Sequence, residues 1–401
     1  MTKKTSEIYE PREDSYLLKE YVEKFSVGKV LEIGTGSGIL ALTAVEMASV
    51  ESVVAVDINP NSVKFVESSS KKLSSEVRKK FTVLRSDLFG SVTGKFDTIV
   101  FNPPYLPNDK RLKDVALDGG KNGYETIVRF LESANEYLTQ PGIILLLFSS
   151  FSKREKIDEA IIDNCFTYSL VAEKNIDFET LYVYRIEKSS ALRELEVNGV
   201  SYVHRFARGK RGLIFSGIYN GSKVTIKLKN PNSKSENAME REYKMIDFLR
   251  NEGFTRIPKV VLTGHDFFVY EYIDGILIED FLKKSKKSEI IEVIKNVFYS
   301  MRELDVIGVN KEEMHRPYKH ILISNGDFTL IDFERCKETD KPQNVTQFCQ
   351  YITSENFRRI TSKKKLNFDK EEIIKLSQNY KKNYSQVSFS KILDHLEPRS
   401  N

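Results

Sequence analysis

The chain has 401 residues, of which 40% are hydrophobic and 30% charged, which is typical of globular proteins and excludes a disordered or fibrous chain. This length predicts two or three domains. No window approaches about 18 uncharged apolar residues, so a membrane-spanning helix is not expected, and the first residues, MTKKTSE, lack the apolar segment of a secretory signal. The three cysteines form no CxxC pair, which excludes a disulfide framework or a cysteine zinc site and favours a reducing cytoplasm.

The formal net charge of +5 is unevenly distributed. Residues 1–190 carry about −3 and the rest about +8. A basic second half permits contact with RNA or a ribosome, but a lysine-rich solvated surface has the same composition. Both interpretations stay open at this point.

Residues 29–187 alternate between strand-like and helix-like stretches, which predicts a doubly wound, mostly parallel sheet of an α/β domain. Strands are predicted at 29–33, 52–57, 81–85, 96–101 and 143–148, with an antiparallel edge strand at 178–186. Helices are predicted at 39–48, from Pro60 onward, at 124–138 (ended by Gln140-Pro141-Gly142) and at 153–163.

The pattern changes near residue 190. Residues 201–230 alternate with period two and contain several glycines, as in a twisted antiparallel sheet. An amphipathic helix is predicted at 236–251, and mostly helical sequence follows Gly275. We therefore predict two domains, 1–188 and 195–401, the second of α+β type, and expect the chain beyond Ser385 to be poorly ordered.

A glycine loop follows the first predicted strand, in the order Gly34, Gly36, Gly38. Glycines at this point allow the backbone to turn tightly against a ligand before a helix begins. Asp57 ends the next strand, where a carboxylate can accept both ribose hydroxyls, and Asp87 follows the third, where it can accept the exocyclic amine of adenine. The alternative is a set of strand-end turns with solvated acids.

The spacing GxGxG, rather than GxGxxG, disfavours a dinucleotide. Glu32, beside the loop, would repel a pyrophosphate but suits a cationic cofactor that carries an amino acid moiety. These features predict S-adenosylmethionine as the cofactor.

The fourth predicted strand ends in Asn102-Pro103-Pro104-Tyr105. A planar amide or aromatic amine is a poor nucleophile and needs both N–H groups held by acceptors. Asn102 Oδ1 can accept one and the Pro103 carbonyl the other, while Pro104 stiffens the loop and Tyr105 can lie against the planar group. A proline-rich turn with an asparagine bonded to its own backbone is the structural alternative.

With these motifs, residues 8–187 resemble the HemK-type N5-glutamine methyltransferases, in the compact eukaryotic and archaeal branch. The segments Tyr9-Glu-Pro-Arg-Glu-Asp-Ser15 and Leu117-Asp-Gly-Gly120-Lys-Asn-Gly123 resemble further motifs of that branch, although Asp118 departs from it. The resemblance implies a seven-stranded class I Rossmann-like fold. It also implies cofactor and substrate contacts at Ser15, Glu32, Gly34, Asp57, Asp87, Leu88 and Asn102.

The same resemblance implies a substrate and a partner. The family methylates the glutamine of the GGQ motif in class I translation termination factors, and the compact branch often works with a small zinc-ribbon activator. The reaction would be an in-line displacement that needs no strong general base, and residues 1–190 contain no histidine to act as one.

The second half contains motifs in the order found in protein kinases. Lys227 lies on a predicted strand, and Glu242 lies on a predicted helix where it can pair with that lysine. The segment 208–217 could form a glycine-rich hairpin, 269–275 resembles an interlobe hinge, and Asp332 begins a DFE sequence in the place of DFG. Residues 195–401 thus resemble an atypical, RIO-like bilobal kinase, which implies ATP and Mg²⁺.

The catalytic segment 308–323 departs from the kinase pattern because it contains no HRD sequence. Glu313 or His315 falls near the position of the catalytic aspartate, and His320 near that of the asparagine. We therefore expect either a divergent kinase, with Glu313 as base and Asp332 as metal ligand, or a nucleotide-binding or inert scaffold.

The resulting hypothesis is a glutamine methyltransferase fused to a kinase-like domain. Two alternatives stay open. One is a nucleic-acid amine methyltransferase, since NPPY also serves adenine N6, although residues 106–124 leave little room for base flipping. The other is a divergent Ser/Thr kinase whose first domain is a docking module.

Overall fold

The computed structural model describes residues 8–105, 122–208, 212–230, 233 and 237–396. The chain forms two compact units that divide between residues 208 and 209. The predicted domains 1–188 and 195–401 stay predictions. Among the described residues, no helix is long and apolar enough to cross a membrane.

The first unit has the alternating order that the sequence predicts. Its elements are α1 (Glu13–Phe25), β1 (Gly28–Ile33), α2 (Ile39–Val45), β2 (Val50–Asp57), α3 (Pro60–Ser70), α4 (Ser75–Arg78), β3 (Phe81–Arg85), β4 (Phe96–Phe101), α5 (Glu125–Tyr137), β5 (Leu138–Ser149), α6 (Arg154–Asp163), β6 (Phe166–Ile176), β7 (Glu179–Lys188), α7 (Ser190–Val197) and β8 (Ser201–Arg208).

Seven strands of this unit form one sheet in the order β3-β2-β1-β4-β5-β7-β6. The pairs among β1 to β5 are parallel, and β7 pairs antiparallel with both β5 and β6. The prediction of a mostly parallel Rossmann-like sheet is confirmed. Buried apolar side chains cover both faces: Leu31 and Ile33 of β1 belong to one core, and Val30 belongs to the other. Because these parallel strands are buried on both faces, their sequences are nearly continuous runs of apolar residues.

The predicted edge strand at 178–186 is wrong in its position within the sheet. It corresponds to β7, which lies between β5 and β6, so β6 is the edge. A register shift between Leu170 and Ala172 interrupts the alternation of β6, and its side chains are largely exposed. The sequence of β6 therefore carries no clear strand pattern.

Two predicted boundaries also differ from the structure. The helix expected at 39–48 ends at Val45, and Gln140-Pro141-Gly142 lies within β5 instead of preceding it. The pairing of β5 with β4 shifts register across this segment, from Leu138 to Ile143. A proline is tolerated at such an irregularity because no regular ladder hydrogen bond is lost there.

The second unit begins with strands and continues mainly with helices. Its elements are β9 (Gly212–Tyr219), β10 (Ser222–Lys229), α8 (Ala238–Asn251), β11 (Val260–Thr263), β12 (Phe267–Glu271), β13 (Ile276–Leu277), α9 (Ile278–Lys284), α10 (Lys287–Ile307), β14 (Val309–Asn310), β15 (Ile321–Ser324), β16 (Asp327–Leu330), β17 (Lys337–Glu338), α11 (Asn344–Ile352), α12 (Glu355–Thr361), α13 (Lys370–Asn383) and α14 (Gln386–Asp394).

Strands β9, β10, β12 and β11 lie side by side with antiparallel pairing, and β13, β15 and β16 form a second antiparallel sheet. Helix α10 is central to the core, where Ile294 and Phe298 are fully buried. The predicted antiparallel strands, the helix at 236–251 and the helical remainder correspond to this arrangement, apart from residue 236, which lies outside the described residues.

The expectation of a poorly ordered tail beyond Ser385 is wrong for residues 386–396, and residues 397–401 lie outside the described residues. Residues 386–394 form α14, whose Phe389 and Ile392 are fully buried in the core of the second unit. The three-residue spacing of these two side chains places them on one face of the helix.

Candidate functional site

A cavity of about 460 Å³ lies where the parallel strands of the first unit end. Open α/β sheets bind ligands at this edge. The cavity brings together most of the residues that the sequence singles out: Ser15, Glu32, Gly34, Gly36, Asp57, Asp87, Leu88, Asn102, Pro103, Pro104 and Tyr105. Gly38 is not among the described residues that line it.

The glycine loop between β1 and α2 adopts left-handed backbone conformations. Gly34 has φ of +68° and Gly36 has φ of +52°, which side-chain-bearing residues rarely adopt. Gly38, with φ of +80°, precedes α2, and a Cβ there would lie 2.8 Å from a methyl group of Val66. Gly38 therefore allows the close approach of α2 and α3, and its predicted contact with the cofactor stays a prediction.

Asp57, at the end of β2, is buried and fixed by the backbone. Its Oδ2 accepts a hydrogen bond from the Gly36 N–H at 2.8 Å, and its Oδ1 accepts one from the Asn59 N–H at 2.8 Å. Burial raises the pKa of Asp57, although these N–H groups oppose the rise. Each oxygen keeps a further lone pair, so the carboxylate can still accept the two hydroxyls of a ribose.

Glu32 is buried beneath the glycine loop. Its Oε2 accepts hydrogen bonds from the Thr35 hydroxyl at 2.5 Å and from the Ala41 N–H at 3.1 Å. Burial raises the pKa of Glu32 to about 8, and the two hydrogen bonds only partly oppose it. A cationic ligand group nearby would favour the ionised form of this carboxyl.

Asp87 is held by a partner that the sequence analysis did not identify. Its Oδ2 lies 3.1 Å from the Arg129 guanidinium, and both side chains are more than half exposed. Arg129 and Thr126 belong to α5 and also line the cavity. A ligand amine at Asp87 would therefore share or replace this ion pair.

Asn102 stands at the end of β4 with its two amide ends in different environments. Its Nδ2 donates a hydrogen bond to Asp14 Oδ2 at 2.8 Å. Its Oδ1 is buried and has no hydrogen-bond partner among the described residues. Buried acceptors without a partner are uncommon because they lose the bond to water, so this oxygen marks a place for a donor from a ligand.

Asp14 and Tyr9 are site residues that the sequence analysis did not select. Both line the cavity, and the Tyr9 hydroxyl donates to Asp14 Oδ2 at 2.9 Å. The sequence feature that could have indicated Asp14 is its position directly before Ser15 in the motif that resembles the family. Most of the motif at 117–123, with Asp118, lies outside the described residues.

Tyr105 closes the NPPY segment. Burial raises its pKa above the ordinary value, and nearby Asp14 adds to this rise. The Ser152 hydroxyl donates to the Tyr105 carbonyl at 3.2 Å and anchors the end of the segment.

In the second unit, Lys227 forms the pair that the sequence predicts. Its Nζ lies 2.6 Å from Glu242 Oε2 and 3.0 Å from Asp332 Oδ1, with Lys227 and Glu242 both buried. Burial lowers the pKa of Lys227, but the charges of the two carboxylates outweigh it and leave the pKa above its ordinary value. The lysine is therefore charged and held in one place.

Three carboxyl groups could hold a cation beside this lysine: oxygens of Glu242, Asp332 and Glu334 lie within 4.8 Å of one another. Oxygen ligands of this kind suit Mg²⁺. The predicted metal ligand Asp332 has a left-handed backbone, with φ of +63°. The buried Lys311 donates to its carbonyl at 2.6 Å, a contact that the sequence does not indicate.

Glu313 and His320 both lie near Asp332. Glu313 Oε2 is 3.4 Å from His320 Nε2, and His320 Nδ1 is 3.8 Å from Asp332 Oδ2. Glu313 also pairs with Arg335. The structure thus brings Glu313 and His320 together beside Asp332 without assigning a base, and the role of His315 stays a prediction. Residues 209–211 of the predicted hairpin lie outside the described residues.

Comparisons with known proteins concern the first unit. A family model described as "Methyltransferase small domain" matches residues 13–182. A protein N5-glutamine methyltransferase of Methanocaldococcus jannaschii is 36% identical over 182 residues, covering 44% of this chain and 90% of that protein. A release factor glutamine methyltransferase of Agrobacterium fabrum is 28% identical over 158 residues, which cover 35% of this chain and 54% of that protein. The structure of the E. cuniculi Mtq2–Trm112 complex responsible for the methylation of the translation termination factor eRF1 contains a chain that is 26% identical, with a TM-score of 0.37. The match covers 45% of this chain and 98% of that chain. Through its first unit, the chain belongs to the N5-glutamine methyltransferase family.

Proposed function

We propose that the first unit methylates the side-chain nitrogen of a glutamine in a class I translation termination factor, with S-adenosylmethionine as methyl donor. The observation that carries the proposal is the buried Asn102 Oδ1, an acceptor without a partner among the described residues of the cavity. A primary amide brings the N–H donor that this oxygen lacks.

The NPPY segment suits a weak nucleophile. An amide nitrogen shares its lone pair with the carbonyl group, so it must be oriented for attack. Asn102 Oδ1 accepts one N–H, and we assign the second N–H to the Pro103 carbonyl. Two hydrogen bonds to one nitrogen fix its attacking face, and such positioning lowers the barrier without a general base.

The cavity also fits the cofactor. Asp57 offers its two oxygens to the ribose hydroxyls, and Glu32 lies beneath the loop that would receive the amino acid moiety. Asp87 accepts the adenine amine once Arg129 gives up part of its contact. When bound, S-adenosylmethionine would supply an electrophilic methyl group on a sulfonium. The N–C bond would form as the S–CH₃ bond breaks and S-adenosylhomocysteine leaves, and the methylated nitrogen, which becomes acidic, would lose its proton to water.

The substrate class is supported by the family. A relative named as a release factor glutamine methyltransferase is 28% identical to this chain over 158 residues. Methylation of an exocyclic nucleic-acid amine is the competing activity, because an adenine amine presents the same two N–H donors. A zinc-ribbon activator, RNA contact through the basic second half and a cytoplasmic location stay predictions.

The experiment offers the full chain a choice of substrates. Purified chain, with and without a zinc-ribbon activator, is incubated with methyl-labelled cofactor and either a cognate termination factor or total RNA. Asn102→Ala is compared with Asn198→Ala, an exposed asparagine at the end of α7. We expect labelled factor with the wild type and Asn198→Ala, and at least a 100-fold loss with Asn102→Ala. Label in RNA alone, or in neither substrate, would contradict the proposal.

We also propose that the second unit binds ATP with Mg²⁺ and transfers the γ-phosphoryl group to a serine or threonine hydroxyl of a protein, which releases ADP. The carrying observation is the buried contact of Lys227 with Glu242, beside Asp332. Lys227 would contact the phosphates and Asp332 the metal, with Glu313 as the predicted base. In kinases the lysine of such a pair contacts the nucleotide phosphates, and the glutamate holds the lysine in place.

Binding of ATP and Mg²⁺ to the full chain tests this second function. Lys227→Ala is compared with Lys229→Ala, a partly exposed lysine two residues along the same strand. Because removing one member of a buried ion pair can unfold a domain, Asp332→Asn serves as a second variant and thermal unfolding is followed for each. We expect Mg²⁺-dependent binding that only Lys227→Ala and Asp332→Asn weaken. Equal binding by all variants would contradict the site, and binding without phosphoryl transfer would contradict the kinase activity.

A further inference from the structure

We infer that Asp14 is a positioning residue for the methyl transfer: it holds the Asn102 side-chain amide in the one orientation that presents Oδ1 to the substrate. This inference rests on the proposed function of the first unit and adds a residue to it. The geometry that points to it is a chain of contacts from Tyr9 through Asp14 to Asn102, all three of which line the cavity.

Asp14 is an acid in an unusual position. It lies in the first turn of α1 and is only 3% exposed, although a buried carboxylate is costly without hydrogen-bond donors. Its Oδ2 receives two donors, Asn102 Nδ2 at 2.8 Å and the Tyr9 hydroxyl at 2.9 Å, and the Ser15 hydroxyl lies 3.4 Å from Oδ1. The carboxylate is thus itself fixed from several sides.

An asparagine amide needs such a partner. Its oxygen and nitrogen ends have nearly the same shape, so packing alone does not distinguish the two orientations. A carboxylate only accepts hydrogen bonds, so it pairs with Nδ2 and repels Oδ1. Asp14 therefore excludes the flipped Asn102.

The excluded orientation is the unproductive one. A flipped Asn102 would turn its own NH₂ group toward the substrate nitrogen, and two donors would face each other. Asn102 Oδ1, which has no partner among the residues that the structure describes, is the complement of the satisfied Nδ2 on the other side of the amide. Asp14 thereby acts on the reaction through Asn102 and not on the substrate directly.

The first test is a double-mutant cycle on the full chain with Asp14→Ala, Asn102→Ala and the double variant. We expect Asp14→Ala to lower kcat by about 10–100-fold, as loss of orientation at a reacting group does. In the Asn102→Ala background, the same change should lower kcat by less than about 2-fold, because residues that act as one unit are not additive. Equal losses in both backgrounds would overturn the inference, since they would mean a general structural role.

Asp14→Asn serves as the conservative variant. Its carbonyl oxygen can accept from both Asn102 and Tyr9, but its NH₂ group also admits the flipped Asn102 that the carboxylate excludes, so we expect partial rescue. We expect it to restore kcat at least 5-fold relative to Asp14→Ala. A kcat no higher than that of Asp14→Ala would overturn the orienting role. Unchanged thermal unfolding midpoints show that the variants are folded.

A spectroscopic test separates the inference from the proposed function, because it needs neither substrate nor cofactor. In protein labelled with ¹⁵N at asparagine, the Asn102 Nδ2 signals are assigned by their loss in Asn102→Ala. We expect both proton shifts to move in Asp14→Ala while those of the exposed Asn198 stay unchanged. If the Asn102 signals do not move, the contact is absent and the inference fails. If they move but the wild type methylates no glutamine, the proposed function fails, and with it the role in catalysis.

Discussion

The buried Glu32 makes the stability of the cofactor-free first unit depend on pH. Its pKa is raised by burial from 4.5 to about 8. Between these values the unfolded chain has lost the proton while the folded unit keeps it, so unfolding releases a proton and stability falls as pH rises. The contribution of protonated Glu32 to the free energy of unfolding is fully present below pH 4.5. It is reduced by about 3 kcal/mol at pH 7 and by about 4 kcal/mol at pH 8.

The Glu32→Gln variant isolates this effect. The glutamine carbonyl can accept the Thr35 and Ala41 hydrogen bonds that Oε2 accepts now, so the fold is retained without an ionisable group. Hydrogen–deuterium exchange of β1 peptides, compared at equal pH, measures the opening free energy. We expect the opening free energy of the Glu32→Gln variant to exceed that of the wild type by an amount that grows from pH 5 to pH 8. Glu51→Gln, at an exposed position on β2, should show the same opening free energy as the wild type. A constant difference across this range would refute the reasoning.

Three further predictions concern single side chains. Gly38→Ala should destabilise the first unit by about 2–4 kcal/mol, because its φ is +80° and its Cβ would meet Val66; an unchanged thermal midpoint would contradict this. Phe389→Ala should lower the free energy of unfolding of the second unit by about 3–5 kcal/mol, measured with denaturant. An unchanged value would mean that Phe389 belongs to a loose tail. Arg129→Ala should tighten cofactor binding by up to about 5-fold in calorimetry, because it releases Asp87 from an exposed pair; weaker binding would mean that Arg129 itself holds the ligand.

The parallel sheet and most of its site could be predicted because they depend on short-range patterns. Apolar runs locate strands that are buried on both faces, and a glycine loop or an acid at a strand end lies at one known edge of the sheet. Gly34, Asp57 and Asn102 are far apart in the chain, yet the topology alone places them together. Lys227 and Glu242 could be paired because the order of the motifs that contain them resembles that of protein kinases.

The parts that were missed depend on contacts that no local pattern shows. Asp14 looks like one of many acids near a helix start, and only its burial against Asn102 reveals its importance. Arg129, on α5, contacts Asp87 although the two residues are 42 positions apart in the chain. Strand β6 escaped prediction because its irregular pairing removes the period-two pattern, and α14 because a short terminal amphipathic segment resembles a loose tail.

The central claim is that Asn102 orients a glutamine amide for methylation, and fragment-ion mass spectrometry of the reacted termination factor tests it most directly. The account predicts one methyl group on the side-chain nitrogen of the GGQ glutamine with the wild-type chain, formed at least about 100-fold more slowly by Asn102→Ala. A methyl group on any other residue, or the same methylated glutamine formed at an undiminished rate by Asn102→Ala, would contradict it.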